Sequence, residues 1–201
     1  MKLQAKVFLM TFFLLSAFVL QAQNFAVKTN LFYGGFTQTP NIGAELGLGS
    51  RSTLDVGFGY NPWNLNGKKD ASGVVVDNRK LVHWVAGAEY RYWLCEKFNG
   101  HFFGVHALGS LYNIAEYNLP LLFGDDSKDH RFEGWAAGGG ISYGYQFVLG
   151  RNWNLEANIG AGYLLLEYDK YCKEKCGEPV GPFRRHYLGP TKAGLSLIYV
   201  F

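Results

Sequence analysis

From Phe25 onward, apolar and polar positions change places at almost every residue, which is the period of a β-strand with two unlike faces. Phe25, Val27, Thr29, Leu31 and Tyr33 alternate with Ala26, Lys28 and Asn30. Ile42, Ala44, Leu46 and Leu48 alternate with Gly43, Glu45 and Gly47, and Leu54, Val56, Phe58 and Tyr60 with Asp55, Gly57 and Gly59. A fourth segment sets Trp84, Ala86, Ala88, Tyr90, Tyr92 and Leu94 against Val85, Gly87, Glu89 and Arg91. The fifth, His101 to Tyr117, is the least regular; Phe103, Val105, Ala107 and Leu111 make its outer face. The sixth opposes Trp135, Ala137, Gly139, Ile141, Tyr143, Tyr145, Phe147 and Leu149 to Ala136, Gly138, Gly140, Ser142, Gly144 and Gln146. The seventh sets Trp153, Leu155, Ala157, Ile159, Ala161, Tyr163 and Leu165 against Asn154, Glu156, Asn158, Gly160 and Gly162. The eighth ends the chain, with Ala193, Leu195, Leu197, Tyr199 and Phe201 against Lys192, Gly194, Ser196 and Ile198.

Tight turns at 49–52, 95–100 and 150–152 alternate with longer polar links at 61–81, 118–131 and 172–187; the link at 34–40 is modest. Outer-membrane barrels show this asymmetry of short inner turns and long outer loops. The expectation is an all-β fold: one eight-stranded antiparallel up-and-down transmembrane β-barrel spanning 23–201.

The orientation follows from charge. One face is aliphatic and aromatic, while the other carries Lys28, Glu45, Asp55, Glu89, Arg91, Glu156 and Lys192 among glycines. Seven ions cannot form an ordinary core, because isolated buried charges cost many kcal/mol. Paired as three cations against four anions, they can fill the interior of a narrow barrel whose outer face meets lipid, and closure satisfies the backbone. Tyr60, Trp63, Trp84, Trp93, Trp135, Trp153, Tyr199 and Phe201, near strand ends, are the expected interfacial girdles.

Residues 1–22 read as a secretory signal peptide: Lys2 and Lys6, an apolar run from Val7 to Leu20, then Ala22 at the cleavage position. The run is short for a spanning helix, and no Cys follows the site to take a lipid. Localisation in the cell outer membrane follows, with outer-membrane lipid and the barrel-assembly machinery as partners. The terminal Leu195, Leu197, Tyr199 and Phe201 resemble the carboxy-terminal assembly signal of such barrels. Composition agrees: 26 Gly, 13 Tyr, 16 Phe and 5 Trp with 17% charged residues, yet a mean hydropathy of −0.05, as alternation produces. Without Lys2 and Lys6 the 19 basic residues become 17 against 16 acidic ones, a balance that gives no reason to expect nucleic acid.

Candidate chemistry is sparse. His101 and His106 are five apart and so point to opposite faces of one strand, which argues against a shared metal. His83, His130 and His186 sit at loop borders with no ligand set. Cys172 and Cys176 in an exported loop suit a local disulfide, with free thiols or a zinc site with His186 as alternatives; Cys95 is left over. Asp125, Asp126 and Asp129 read as a solvated acidic loop in preference to a calcium site. Lys170, Lys173, Lys175, Arg184 and Arg185 make the last long link basic, which suits ordinary surface charge better than glycolipid phosphate. Gly138-Gly139-Gly140 lacks the following Lys and helix of a phosphate loop. No Ser-His-acid grouping stands out, so no catalytic residue, metal or cofactor is expected. The expected role is a non-enzymatic barrel displaying surface loops; the alternatives are a membrane-embedded lipid-modifying enzyme or a binder of hydrophobic ligands.

Several stretches carry a resemblance: KTNLFYGG (28–35), TPNIGAELGLG (39–49), LDVGFGYNPW (54–63), EYRYWLCEKFNGHFFGVH (89–106), RFEGWAAGGGISYGYQ (131–146), RNWNLEANIGAGY (151–163), YDKYCKEKCG (168–177) and GPTKAGLSLIYVF (189–201). Together they resemble an uncharacterised outer-membrane barrel family of Bacteroidetes, a domain of unknown function with the architecture of small OmpA/OmpX-like barrels. The resemblance implies an outer-membrane barrel without assigned activity, and surface or fimbrial proteins as partners. The family pattern CxxCG is here CxxxCG at Cys172 and Cys176, so a family-wide role for that pair does not carry over.

Overall fold

The computed structural model describes residues 24–63, 71–72, 79–117, 119–123, 128–172 and 178–201; the segment read as a signal peptide lies outside them. Alternating side chains build eight strands in chain order: β1 (Phe25–Asn30), β2 (Asn41–Gly47), β3 (Ser52–Asn61), β4 (Lys80–Trp93), β5 (Gly100–Ala115), β6 (His130–Val148), β7 (Trp153–Cys172) and β8 (Pro179–Val200). Each pairs antiparallel with its neighbour, and β8 returns to β1 to close the cylinder.

Register fixes the geometry. The row that leaves Ala26 runs through Glu45, Asp55, Glu89, His106, Gly140 and Gly162 to Gly189 on β8. Ala26 itself pairs with Val200, eleven positions further along β8. One of the eleven, Thr191, is the extra residue of a bulge between the pairs Ala161–Pro190 and Gly160–Lys192. A stagger of about ten over eight strands tilts them by ~40° from the axis, leaving room inside for side chains only.

The wall is uneven. β1 has six residues and β8 has 22, and the two share only five pairs, from Ala26–Val200 to Asn30–Ser196. β4 to β8 therefore stand above the β1–β2 rim on the side away from the chain end. In the sequence reading the first strand ran to Tyr33; the chain instead turns at Asn30, whose side chain accepts from Tyr33 N–H at 3.0 Å and opens the helix α1 (Leu31–Thr37). Helix α1 packs beside β8 and is closed by Gln38 in the left-handed region.

Three further expectations are corrected. The link read over 172–187 is shorter at its far end: β7 does run to Cys172, but β8 already starts at Pro179, so Lys170, Arg184 and Arg185 lie on strands, while Lys173 and Lys175 are outside the described residues. The bulge at Thr191 reverses the alternation, and Pro182 and Pro190 read locally as loop, which hid the strand. Trp93 is not a girdle residue: it shares the inward face of Arg91 and is 0% exposed. Finally, the interior is not ionic throughout. Its upper part holds Tyr112, Ile114, Phe132, Leu164, Leu166 and Tyr187, with Phe123 of the short helix α2 (Pro120–Phe123) stacked on Phe132 at 4.4 Å.

Candidate functional site

The lower interior is built from one hydrogen-bonded row. Glu45, Asp55 and Glu89 are direct cross-strand neighbours on β2, β3 and β4, with His106 next on β5. Like charges placed directly opposite repel one another, so this row requires compensation. Arg91 supplies most of it. Two residues from Glu89 on the same face, its fully buried guanidinium donates through Nε to Glu89 Oε2 at 2.6 Å. Nη1 donates to Glu45 Oε2 at 2.9 Å and Glu156 Oε2 at 2.7 Å, and Nη2 to Asp55 Oδ2 at 2.9 Å and Glu156 Oε1 at 3.1 Å. All five N–H donors are used, against four carboxylates. The guanidinium also lies 4.4 Å over the ring of Phe102.

Two lysines complete the cluster. Lys28 Nζ lies 2.9 Å from both Glu45 Oε2 and Asp55 Oδ1. Lys192, whose side chain is 25% exposed, donates to Glu89 Oε2 at 2.6 Å. Hydroxyls and an amide take the remaining carboxylate lone pairs: Thr53 to Glu45 Oε1 at 2.6 Å, Ser142 to Glu89 Oε1, and Asn158 Nδ2 to Glu156 Oε1 at 2.6 Å. Below, Trp93 donates its indole N–H to Thr53 Oγ1 at 3.0 Å and packs on Phe102 and Phe98, flooring the cluster with rings. Three cations face four anions. The nearest further titratable group is His106, with Nδ1 4.0 Å from Glu89 Oε1 and Nε2 2.8 Å from Thr191 Oγ1.

All seven charged residues read from the sequence therefore meet in one cluster. Sequence reasoning missed Thr53, Ser142, Asn158 and His106 as its members and Trp93 and Phe102 as its floor. Parity alone would have placed them inward, but without register their convergence is invisible. Ser142 donates to Glu89 and not to His106, so the trio is a structural bond network and lacks the nucleophile–base contact of a hydrolase.

The other candidates are dispersed. His101 is on the outward face with its Nδ1 2.6 Å from the Tyr143 hydroxyl, while His106 is inside. Between the upper ends of β1 and β4, the Tyr33 hydroxyl of α1 lies 2.5 Å from His83 Nε2; burial pushes this phenol up to about 12. His130 opens β6, and His186 of β8 meets the Tyr163 hydroxyl. Cys172 ends β7 and is exposed; Cys176, Asp125 and Asp126 lie outside the described residues. Among the described residues no group of three His, Cys, Asp or Glu side chains is placed to hold a metal, and no helix is long and apolar enough to cross a membrane. Leu195, Leu197 and Tyr199 lie on β8; Phe201 follows it, its N–H held by Phe25 O at 3.0 Å and its ring edge-on to Tyr199 at 5.0 Å.

A closed eight-stranded antiparallel cylinder with a compensated ion cluster in its lumen places the molecule among small β-barrels. More narrowly, the chain belongs to the family described as Protein of unknown function (DUF3575), whose profile matches residues 7–201. No curated protein and no solved structure matches it.

Proposed function

We propose that this protein is an integral, non-enzymatic barrel of the outer membrane that holds the tall wall of β4 to β8 and its connecting loops at the cell surface. One observation carries the reading: the outward face has an uncharged apolar band. On β7 the outward residues from Trp153 to Tyr163 are Trp153, Leu155, Ala157, Ile159, Ala161 and Tyr163, and the first outward charge is Glu167. On β6 the band runs from Phe147 to Trp135, with Glu133 the first charge above it. Ten residues at about 3.3 Å, tilted by ~40°, rise ~25 Å, the height of the apolar band of a membrane barrel.

The band is strongly exposed in isolation: Ile141 69%, Val105 63%, Ile159 62% and Ile42 62%. A water-soluble protein rarely shows so much contiguous apolar surface, and here the ions lie inside. In this orientation both chain ends of the barrel face the periplasm and the high rim faces outward. The Arg91 cluster and the Trp93–Phe102 floor fill the lumen, so the barrel conducts no solute. The test is fractionation with native outer membranes combined with heat-modifiable gel mobility. Recovery as a soluble periplasmic protein, or solute flux through reconstituted bilayers, overturns the reading.

A further inference from the structure

The strand wall has a gap in the upper half of the apolar band. Rows of paired residues climb toward the high rim in the direction β7 to β8 to β1, because the row from Ala26 meets β8 at Gly189, above Val200. Thr29, the last outward residue of β1, shares one such row with Leu197 and Leu155. Two steps around the cylinder lift it about 6 Å over Leu155, whereas the run from Leu155 to Tyr163 rises about 20 Å. The first strand therefore ends about 14 Å below the upper edge of the band, and β2 begins beside it at Asn41.

We propose, on the membrane orientation given above, that helix α1 is a stopper immersed in the outer leaflet, filling this gap with Leu31, Phe32 and Phe36 turned to acyl chains. Its size fits. From β8 to β3 the gap is three strand spacings, about 14 Å, and a helix with its side chains is about 10–12 Å across. Helix α1 touches both flanks: it packs beside β8, where Asn30 Nδ2 reaches Ala193 O at 3.5 Å, and past the end of β3 the Trp63 indole N–H donates to Gln38 O at 2.6 Å. Tyr33 turns inward, its ring over Gly59, where a Cβ would come within 2.9 Å of Tyr33 Cε1, and its hydroxyl at His83. The opposite side is apolar, with Phe36 77% exposed and Leu31 and Phe32 exposed beside it.

Two features separate this segment from a wet surface loop. From Asn30 to Asn41 the chain carries no charge, whereas the link at 61–81 holds Lys68, Lys69 and Asp70, and the link at 118–131 holds Asp125, Asp126, Lys128 and Asp129. The second feature is that protein donors answer its backbone. Past the helix, four consecutive carbonyls each accept a hydrogen bond. Asn61 Nδ2 donates to Thr37 O at 2.8 Å, Trp63 Nε1 to Gln38 O, Asn41 Nδ2 to Thr39 O at 3.0 Å and Tyr60 N–H to Pro40 O at 3.1 Å. At a watery surface solvent serves such groups; at membrane depth, irregular backbone persists only where the protein does so.

The experiment uses the full chain with Cys95, Cys172 and Cys176 replaced by Ser, in phosphatidylcholine vesicles, with an NBD fluorophore on Phe32→Cys. Ile159→Cys marks the middle of the band, and Val180→Cys, near the start of β8, marks the water above it. Lipid carrying a nitroxide on its chain should quench the label at position 32 as it does at Ile159. Iodide, present on both sides, should quench it about fivefold or more weakly than at Val180, because hydrocarbon excludes the ion. Phe36→Cys carries the same test if Phe32→Cys loses heat-modifiable mobility. Iodide quenching equal to that at Val180, with Ile159 shielded, overturns the stopper and leaves the membrane band standing; iodide quenching at Ile159 as well removes both. A disulfide-linked dimer formed through unlabelled Phe36→Cys shows a second copy on this face and overturns the lipid contact.

Discussion

Arg91→Met tests whether the interior is a single compensated unit. The substitution keeps much of the side-chain volume and its contact with Phe102, but removes five donated hydrogen bonds to Glu45, Asp55, Glu89 and Glu156. Lys28 and Lys192 remain, so three cations against four anions become two against four. Breaking a buried pair by removing one partner costs about 3–5 kcal/mol. A second route gives a similar figure: the cluster can take up a proton on one carboxylate, which at pH 7 costs ~4 kcal/mol for a group of ordinary acidity near 4.3. The cheaper response sets the loss, so a destabilisation of about 3–4 kcal/mol is expected.

The assay is reversible urea unfolding in micelles or vesicles, followed by tryptophan fluorescence and by heat-modifiable mobility. Proton uptake adds a signature. The folded variant then binds one more proton than its unfolded chain, so its stability falls as pH rises, and the deficit against wild type is full at pH 7 and narrows toward pH 4–5. Arg91→Met with Glu156→Gln removes one carboxylate together with the cation and should recover part of the loss. A single-variant loss below ~1 kcal/mol, the size of an exposed ion pair, or a deficit that does not narrow with acid, refutes the idea of one compensated unit.

Three other outcomes follow from the same geometry. Ile159→Arg, at mid-band on the outward face of β7, should cost about 2–4 kcal/mol in lipid by the same unfolding assay; a change within ~0.5 kcal/mol, ordinary for a watery surface, contradicts lipid contact. Gly140→Val should block barrel formation, because a Cβ there runs into Ala161 O and Gly162 Cα of the facing strand, whereas at Gly57 the nearest atom is Ile42 O at 4.0 Å and Gly57→Ala should fold; equal yields of heat-modifiable protein would remove the packing argument. Deleting Phe201 takes away the hydrogen bond to Phe25 O and the contact with Tyr199 at the seam, and pulse-labelled chains should then linger in the periplasm; normal assembly kinetics would show that the terminal ring is dispensable.

Strand identity and facing were legible wherever period-2 alternation is unbroken, as from Trp135 to Phe147 or from Trp153 to Tyr163, because burial on one side writes itself into every second residue. The charged residues were legible as a set for the same reason. Three things were not. A bulge of one residue at Thr191 inverts parity, so the upper half of β8 looked like loop. Helix α1 depends on the Asn30 cap, which a strand-like run LFYGG conceals. The split of the interior into an ionic lower part and an apolar upper part is a matter of height. Height depends on register and tilt, which join Leu164 and Leu166 of β7 to Tyr112 of β5 and Tyr187 of β8; no local pattern records it.

The ion cluster also bears on closure. A hydrogen-bond ladder ties each strand to its neighbours only, and the two ladders of β1 are the shortest, with four pairs to β2 and five to β8. Lys28 on β1 reaches Glu45 on β2, Asp55 on β3 and, at 3.8 Å, Glu156 on β7, and Lys192 on β8 reaches across the lumen to Glu89 on β4. Apart from Lys28–Glu45 on neighbouring strands, these pairs are struts between strands that share no ladder, and they converge on β1 and β8, where the ladders that close the cylinder are short. They also discriminate between registers. A slip of one residue along β2 turns Glu45 to the outward face and leaves part of the Arg91 fork unanswered, two penalties that an interior of glycine and alanine would not impose. An ionic lumen adds little net stability over an apolar one of equal volume, but it leaves one closed arrangement in which every charge has a partner.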